Sequence, residues 1–294
     1  MKQKITLWGS VILACLLFVN ILLLSGCTQP TQPFVILHAG GGASELRYLN
    51  AQETFEQYYD LGYRYFEYDF QLSDDGRLIG THAWEHLPIY YPSTITYDEF
   101  IQAKLSNGYT PANEDWLVDT IKNFPDVKII IDAKMNTTEE DVLVLQRIEQ
   151  LETIHNIDMS ANIIPEIFSK EMWDIAKETT TFDQYIFSHY KVYYSVSQII
   201  EYFSDDRIWA VGLPTYCDYS FRSQIYRLKN LGKKILVFTP TTKDEVASSI
   251  QLGADALYLD YPDRYHSNRE LCVDMYNIKI HIFDVFQRLQ AYRP

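Results

Sequence analysis

The feature that most constrains this chain is an alternation that begins at Phe34 and continues almost to the C-terminus. Short apolar runs of strand length are each followed by a stretch whose apolar residues recur at helical spacing. Phe34–His38, Tyr65–Gln71, Val127–Ile131, Asn162–Phe168, Gln184–Ser188, Ile208–Val211, Lys234–Thr239 and Ala256–Leu259 read as strands, with Pro165 expected to interrupt the fourth. Ala51–Leu61, Asp115–Asn123, Glu139–His155, Lys170–Thr179, Ser195–Phe203, Tyr219–Leu231 and Lys243–Leu252 read as helices, and Gly62, Gly232 and Gly253 supply left-handed stops. Strands separated by helices pair in parallel, because the crossover returns the chain to the same end of the sheet. Eight such units fit an α/β fold of the closed (β/α)8 type, the TIM barrel, as a single domain; an open doubly wound sheet is the competing arrangement. Two stretches depart from the alternation. Asp74-Asp75-Gly76 is a turn leading into Leu78–Thr81 and His82, and His86 to Pro111 is a long excursion with a short helix near Tyr97–Lys104.

The N-terminus reads as an address. Lys2 and Lys4 precede an apolar run from Ile5 to Leu24, which ends at Ser25-Gly26-Cys27 and passes into a Thr/Gln/Pro linker. Leu24-Ser25-Gly26-Cys27 resembles the bacterial lipobox, which implies a signal peptide over 1–26, a lipid on Cys27, a linker over 27–33 and a catalytic body over 34–294. The expected location is extracytoplasmic, anchored to the bacterial membrane by acyl chains; an uncleaved membrane anchor is the other reading of the run. Cys217 and Cys272 then remain as thiols, and nothing in their spacing places them within bonding distance. The formal charge of −14 and the lack of a Lys/Arg cluster exclude nucleic acid as a partner. The 23 tyrosines fit either a polyol site or amphipathic surfaces.

The residues that carry chemistry collect near strand ends. Side chains two apart on a strand share a face, so Glu67 and Asp69 project together while Tyr68 points away. Taken alone, that triplet reads first as a strand with its acids in water. Asp132 and Lys134 repeat the spacing after an all-apolar run, and three carboxylates beside one ammonium make a seat for Ca²⁺ or Mg²⁺. Such a site suits an anionic, oxygen-rich substrate such as a phosphodiester. His38 and His82 can then trade protons across the phosphorus, one with the attacking hydroxyl and one with the leaving oxygen. Gly40-Gly41-Gly42 lacks nucleotide-loop spacing and reads as a tight barrel loop. Glu166, Tyr258 and Trp84 are candidates for the pocket, whereas His86, His155, His189 and His266 read as surface or loop residues.

Together these residues resemble the glycerophosphodiester phosphodiesterases, whose consensus runs His-Arg-Gly, Glu-Asn-Thr, Glu-x-Asp, Asp-Gly, His-Asp and Glu-x-Lys. His38, Asn50, Glu67 with Asp69, Asp75-Gly76, His82 and Asp132 with Lys134 stand at those motifs in order. Ile164-Pro165-Glu166, Gly253-Ala254-Asp255 and Asp260-Tyr261-Pro262 resemble later segments of the family. The resemblance implies a metal-dependent cleavage of glycerophosphodiesters to glycerol 3-phosphate and an alcohol. Its site would comprise catalytic His38 and His82, metal ligands Glu67, Asp69 and Asp132, and Lys134, Gly40, Asn50, Glu166 and Tyr258 towards the substrate. The departures are Ala39 for the arginine, Leu49 for a glutamate, Ala83 for an aspartate and Asp132 for a glutamate. Loss of the guanidinium at Ala39 leaves the glycine loop to offer backbone N–H donors. It also opens a second reading, an inactive barrel that serves as a surface receptor for a phosphorylated polyol or envelope component.

Overall fold

The computed structural model describes residues 34–82, 95–103, 108–192, 194–215 and 222–266. Cys27 with its leader and linker, Trp84, His86, Cys217 and Cys272 lie outside them. Nine strands are seen among the described residues: β1 (Phe34–Leu37), β2 (Tyr65–Leu72), β3 (Leu78–Gly80), β4 (Lys128–Ala133), β5 (Ile163–Ile167), β6 (Tyr185–Ser188), β7 (Ile208–Pro214), β8 (Lys234–Phe238) and β9 (Ala256–Leu259). The helices are α1 (Gln52–Asp60), α2 (Tyr97–Gln102), α3 (Glu114–Asn123), α4 (Thr138–His155), α5 (Lys170–Thr179), α6 (Val196–Tyr202), α7 (Arg222–Asn230), α8 (Lys243–Leu252) and α9 (Asp263–His266). β1 pairs in parallel with both β2 and β9, so eight strands close into a ring. β3 lies outside it, antiparallel on β2, as the hairpin reading requires. The fold is the (β/α)8 barrel, and the open sheet is excluded.

Strand alternation sorts the side chains into two sets. Ile36, Ile130, Ile164, Ile186, Ala210, Leu236, Ala256 and Tyr258 form one apolar cluster that fills the ring. The intervening residues Leu37, Phe66, Tyr68, Phe70, Ile129, Ile131, Ile163 and Phe187 belong to a second cluster with Phe55, Leu117, Leu145, Ile148 and Met172 of the helices. Each such fully buried side chain is worth about 1.5–3 kcal/mol, so this outer shell supplies most of the cohesion. At the N-terminal ends of the strands Phe34, Tyr65 and Trp209 stack, with centroids 4.6 Å and 6.1 Å from Phe34. The aromatic plug closes that end, and polar side chains enter the ring at the other.

Several strand boundaries differ from the sequence reading, β7 for one running on to Pro214, and the differences at β5 and β4 bear on the site. Pro165 does not interrupt β5, because the paired positions with β4 end at Pro165 and those with β6 begin at Glu166. The missing N–H falls where β5 changes partner. β4 runs further than expected and takes in Asp132, which pairs with Asp69 of β2.

The β3 hairpin is fastened to the barrel by one buried acid. Glu114 opens α3, accepts from the Leu78 N–H at 3.0 Å and is bracketed by Arg77 Nε at 2.5 Å and Arg147 Nη2 at 2.9 Å. Burial pushes its carboxyl up, but the hydrogen bonds from Arg147, Leu78 and Arg77 outweigh that and leave it below its usual range. A depressed folded value stabilises the protein above the unfolded carboxyl range and is lost as pH falls through it. Glu114→Gln is therefore expected to cost about 2–3 kcal/mol near neutrality, somewhat less than a wholly buried pair because Arg77 is 31 % exposed. In urea titrations that difference should close below about pH 4; a pH-independent difference would show that charge pairing is not its source.

Candidate active site

Each polar residue at the open end stands two positions beyond a residue that fills the ring. Ile36 leads to His38, Tyr65 to Glu67 and Asp69, Ile130 to Asp132 and Lys134, Ile164 to Glu166, Ile186 to Ser188, and Tyr258 to Asp260. The same alternation that packs the core thus aims this layer at the mouth. Glu67, Asp69 and Asp132 are all buried, and one ligand atom from each lies within 4.8 Å of the others. Glu67 Oε2 accepts the Ala39 N–H at 2.8 Å, while its Oε1 is buried with no hydrogen-bond partner among the described residues. Burial and the neighbouring Asp69 and Asp132 carboxylates hold the Glu67 carboxyl well above its usual range. Asp69 is treated oppositely. Burial raises it, but Lys134, His82 and His38 together with a hydrogen bond from Asn50 bring it below the ordinary value. Lys134 lies 2.5 Å from Asp132 and 3.2 Å from Asp69, and those two acids hold its ammonium charged against the cost of burial.

His38 sits in the single turn after β1. Its Nδ1 is 2.7 Å from Asp260 Oδ1, and since an ionised carboxylate only accepts, Nδ1 carries the proton. Nε2 then faces Glu67 Oε2 at 3.9 Å. The second oxygen of Asp260 takes Arg47 Nε at 3.4 Å. His82 follows β3 and approaches from the hairpin side; the Tyr48 ring lies 5.0 Å from His38 and 4.5 Å from His82 between centroids. The two imidazoles are therefore separated by no more than the sum of those distances.

The structure brings His38, His82, Glu67, Asp69, Asp132 and Lys134 to one end of one barrel. Four residues expected towards the substrate are placed otherwise. Gly40 is buried, and a Cβ there would lie 2.6 Å from the Tyr68 hydroxyl, so glycine is needed for close packing under the loop. Asn50 is 0 % exposed and spends both ends on Asp69, donating to Oδ2 and accepting from its N–H, each at 2.9 Å. Glu166 and Tyr258 are also buried: Tyr258 donates to Glu166 Oε1 at 2.6 Å and Ser188 to Oε2 at 2.7 Å. Burial and the Asp132 charge push the Glu166 carboxyl up to about 7. These residues are the supports beneath the acids. The glycine loop likewise offers few donors, because Gly41 and Gly42 give their N–H groups to the His38 and Asp260 carbonyls. His189 is not at the surface; it is 4 % exposed and accepts the Tyr194 N–H at Nε2.

Three groups escaped the sequence reading as individuals. Asp260 follows Tyr258 at the same two-residue spacing as Glu67 and Asp69, a signal that was present. Tyr190, two positions beyond Ser188 and so also on that spacing, places its hydroxyl 3.2 Å from both Asp132 Oδ2 and Lys134 Nζ, whereas Arg47 meets Asp260 from a loop and has no periodic signature.

No family model and no curated protein sequence matches the chain. Solved structures do. A Galdieria sulphuraria protein with a provisional assignment as a glycerophosphodiester phosphodiesterase superposes with a TM-score of 0.68 at 16 % identity, covering 82 % of this chain and 98 % of that one. A glycerophosphodiester phosphodiesterase from Parabacteroides distasonis gives 0.63 at 18 % identity, covering 80 % and 96 %. An Oleispira antarctica phosphodiesterase in complex with its product sn-glycerol-3-phosphate gives 0.64 at 17 % identity, covering 81 % and 97 %. The barrel of this chain is thus the fold found in those proteins.

The donor set fits a hard divalent cation: three buried carboxylates converge, and one of their oxygens lacks any other partner. Calcium or magnesium at about a hundred times its dissociation constant is expected to add about 2.7 kcal/mol of stability, read as a rise in melting temperature. Glu67→Gln should abolish that rise and, with like-charge crowding removed, melt no lower than the wild type in EDTA. Equal metal-induced shifts in both proteins would rule out Glu67 as a ligand.

Proposed function

We propose that this chain is a metal-dependent phosphodiester hydrolase that cleaves glycerophosphodiesters to glycerol 3-phosphate and an alcohol. The observation that carries the reading is the meeting of an acid trio with a histidine already oriented by a carboxylate: Glu67 lies 3.9 Å from His38 Nε2, whose Nδ1 is held by Asp260. The sn-glycerol-3-phosphate bound by the Oleispira neighbour supports the same ligand class.

Glu67, Asp69 and Asp132 would hold a Ca²⁺ or Mg²⁺ ion, which when bound supplies positive charge to the non-bridging phosphoryl oxygens. Lys134, kept charged by Asp132 and Asp69, adds a fixed ammonium on the same side. His38, with Nδ1–H on Asp260, presents Nε2 as the atom that exchanges a proton with the reacting oxygen. His82, across the Tyr48 ring, serves the opposite oxygen. Asn50 fixes the rotamer of Asp69 through two hydrogen bonds, and the hydroxyls of Ser188 and Tyr258 hold Glu166 under the acids.

In this reading the N-terminal cysteine of the mature chain, Cys27, carries lipid and keeps the site outside the cytoplasm at the membrane, where lipid-derived diesters are met. Ala39 and the engaged glycine-loop amides favour the alternative, a receptor that binds phosphorylated polyols without turnover.

With Ca²⁺ or Mg²⁺, the protein is expected to hydrolyse glycerophosphodiesters or an aryl phosphodiester. His38→Ala should lower kcat by about 10²–10⁴-fold, and Glu67→Ala should abolish turnover. Asp260→Asn should lower kcat with little change in KM, because it alters imidazole orientation and not binding. Wild type and variants equally inert on a diester panel, with ligand binding retained, would establish the receptor; activity on monoesters alone would overturn the hydrolase as stated.

A further inference from the structure

Nothing in the chemistry above uses Tyr48, yet its ring touches both imidazoles. It meets His38 edge-on at 5.0 Å and His82 at 4.5 Å, and the residue remains 38 % exposed. The ring thus rests on the histidines while more than a third of the residue stays accessible. Its backbone is unusual too. Tyr48 has φ 54, a left-handed conformation costly for a bulky side chain, in a loop where Ser44, Glu45 and Asn50 share that sign.

The loop is held in this shape from several directions. Gly42 donates to the Asp260 carbonyl at 2.7 Å, Asn50 to the Ala39 carbonyl at 2.9 Å, and the Tyr261 hydroxyl to the Leu46 carbonyl at 2.5 Å. Asparagine or glycine would relax position 48, so the strain is tolerated at a place where an aromatic ring is presented to the site. Tyr190, 42 % exposed, sets its hydroxyl on Asp132 and its ring 5.7 Å from Phe238. A phosphoryl group in the acid pocket would carry its organic arm outward past these rings.

We infer that Tyr48 selects the organic arm of the substrate, its ring being the surface on which the carbon–hydrogen face of a glycerol or sugar lies while the phosphate occupies the acid pocket. The assignment rests on the phosphoryl-binding reading given above. An aromatic face suits such a ligand because polyols pair apolar C–H faces with polar rims, which the ring body and its hydroxyl match. Partial burial, with the Asp260 and Asp69 charges, raises the Tyr48 hydroxyl above the usual tyrosine value.

The test is calorimetry on the full-length protein in detergent with Ca²⁺, using sn-glycerol 3-phosphate and inorganic phosphate as probes. The wild type is expected to prefer glycerol 3-phosphate. Tyr48→Asn, which accepts the left-handed backbone, should cut that preference about tenfold and leave phosphate affinity within about twofold. Tyr48→Phe, which keeps the ring, should keep most of the preference. A wild type without preference, or a Tyr48→Asn variant that retains it, overturns the inference; so does an equal loss of both affinities, which would mean that Tyr48 merely steadies the histidines. Diester turnover, measured on the same samples, separates the two readings. Preference without turnover sinks the hydrolase and leaves Tyr48 assigned, whereas turnover without preference sinks Tyr48 alone.

Discussion

The parallel pairing of β2 with β4 forces two carboxylates to the same height: Asp69 stands opposite Asp132, and Glu67 is one step below on the same face. Backbone hydrogen bonds fix this register, so the acids cannot relax apart by sliding. Their mutual repulsion, at almost fully buried positions, is the constraint around which the mouth is built. Lys134 answers it from just past the end of β4, Asn50 answers it at Asp69, and the Ala39 N–H answers it at Glu67. One oxygen of Glu67 is answered by nothing in the described residues, and it is there that the trio could take an external cation.

A barrel tolerates such a layer because its other layers are apolar and its other end is sealed. The ring of Ile36, Ile130, Ile164, Ile186 and their neighbours lies directly under the acids, and the Phe34, Tyr65 and Trp209 plug lies beneath that. Water is excluded from below, which raises the cost of each buried charge and the value of each compensating one. Glu166 marks the boundary. Its carboxyl, pushed up by burial and by Asp132, is carried by two hydroxyl donors and no cation, an arrangement that accommodates either protonation state.

The ring itself was legible because it rests on periodicity: two-residue alternation in strands and helical spacing between them are local, and closure follows from their number. The acids were legible for the same reason, since Glu67, Asp69 and Asp132 inherit their direction from apolar neighbours two positions away. What alternation cannot report is depth. Asn50, Glu166, Tyr258 and Gly40 lie in the right region but buried, where close packing or partners consume them, and only the packing of distant segments sets that burial. Loop residues were harder still. Arg47 and Tyr48 reach the mouth through irregular backbone, so nothing in their spacing announces them. Pro165 misled in the opposite way, because the rule against proline in strands has no force where a strand passes from one partner to the next.

The sequence departures form a consistent set once the first loop is seen as packing. Ala39 is 0 % exposed with a left-handed φ of 48, and its N–H is committed to Glu67, so the position belongs to the interior. Leu49 is likewise buried, in an apolar cluster with Ala51, Ile79, Ile95, Tyr97 and Phe100 that ties the loop to the β3 hairpin and α2. Replacing a charged residue by leucine there exchanges polar contact for anchorage, and the residues immediately before it, Arg47 and Tyr48, are thereby held over His38 and Asp260. The guanidinium absent from position 39 has a counterpart eight residues later, fixed on the carboxylate that orients His38. The positive charge of this loop therefore stands beside the carboxylate that orients His38 and not at the interior position 39.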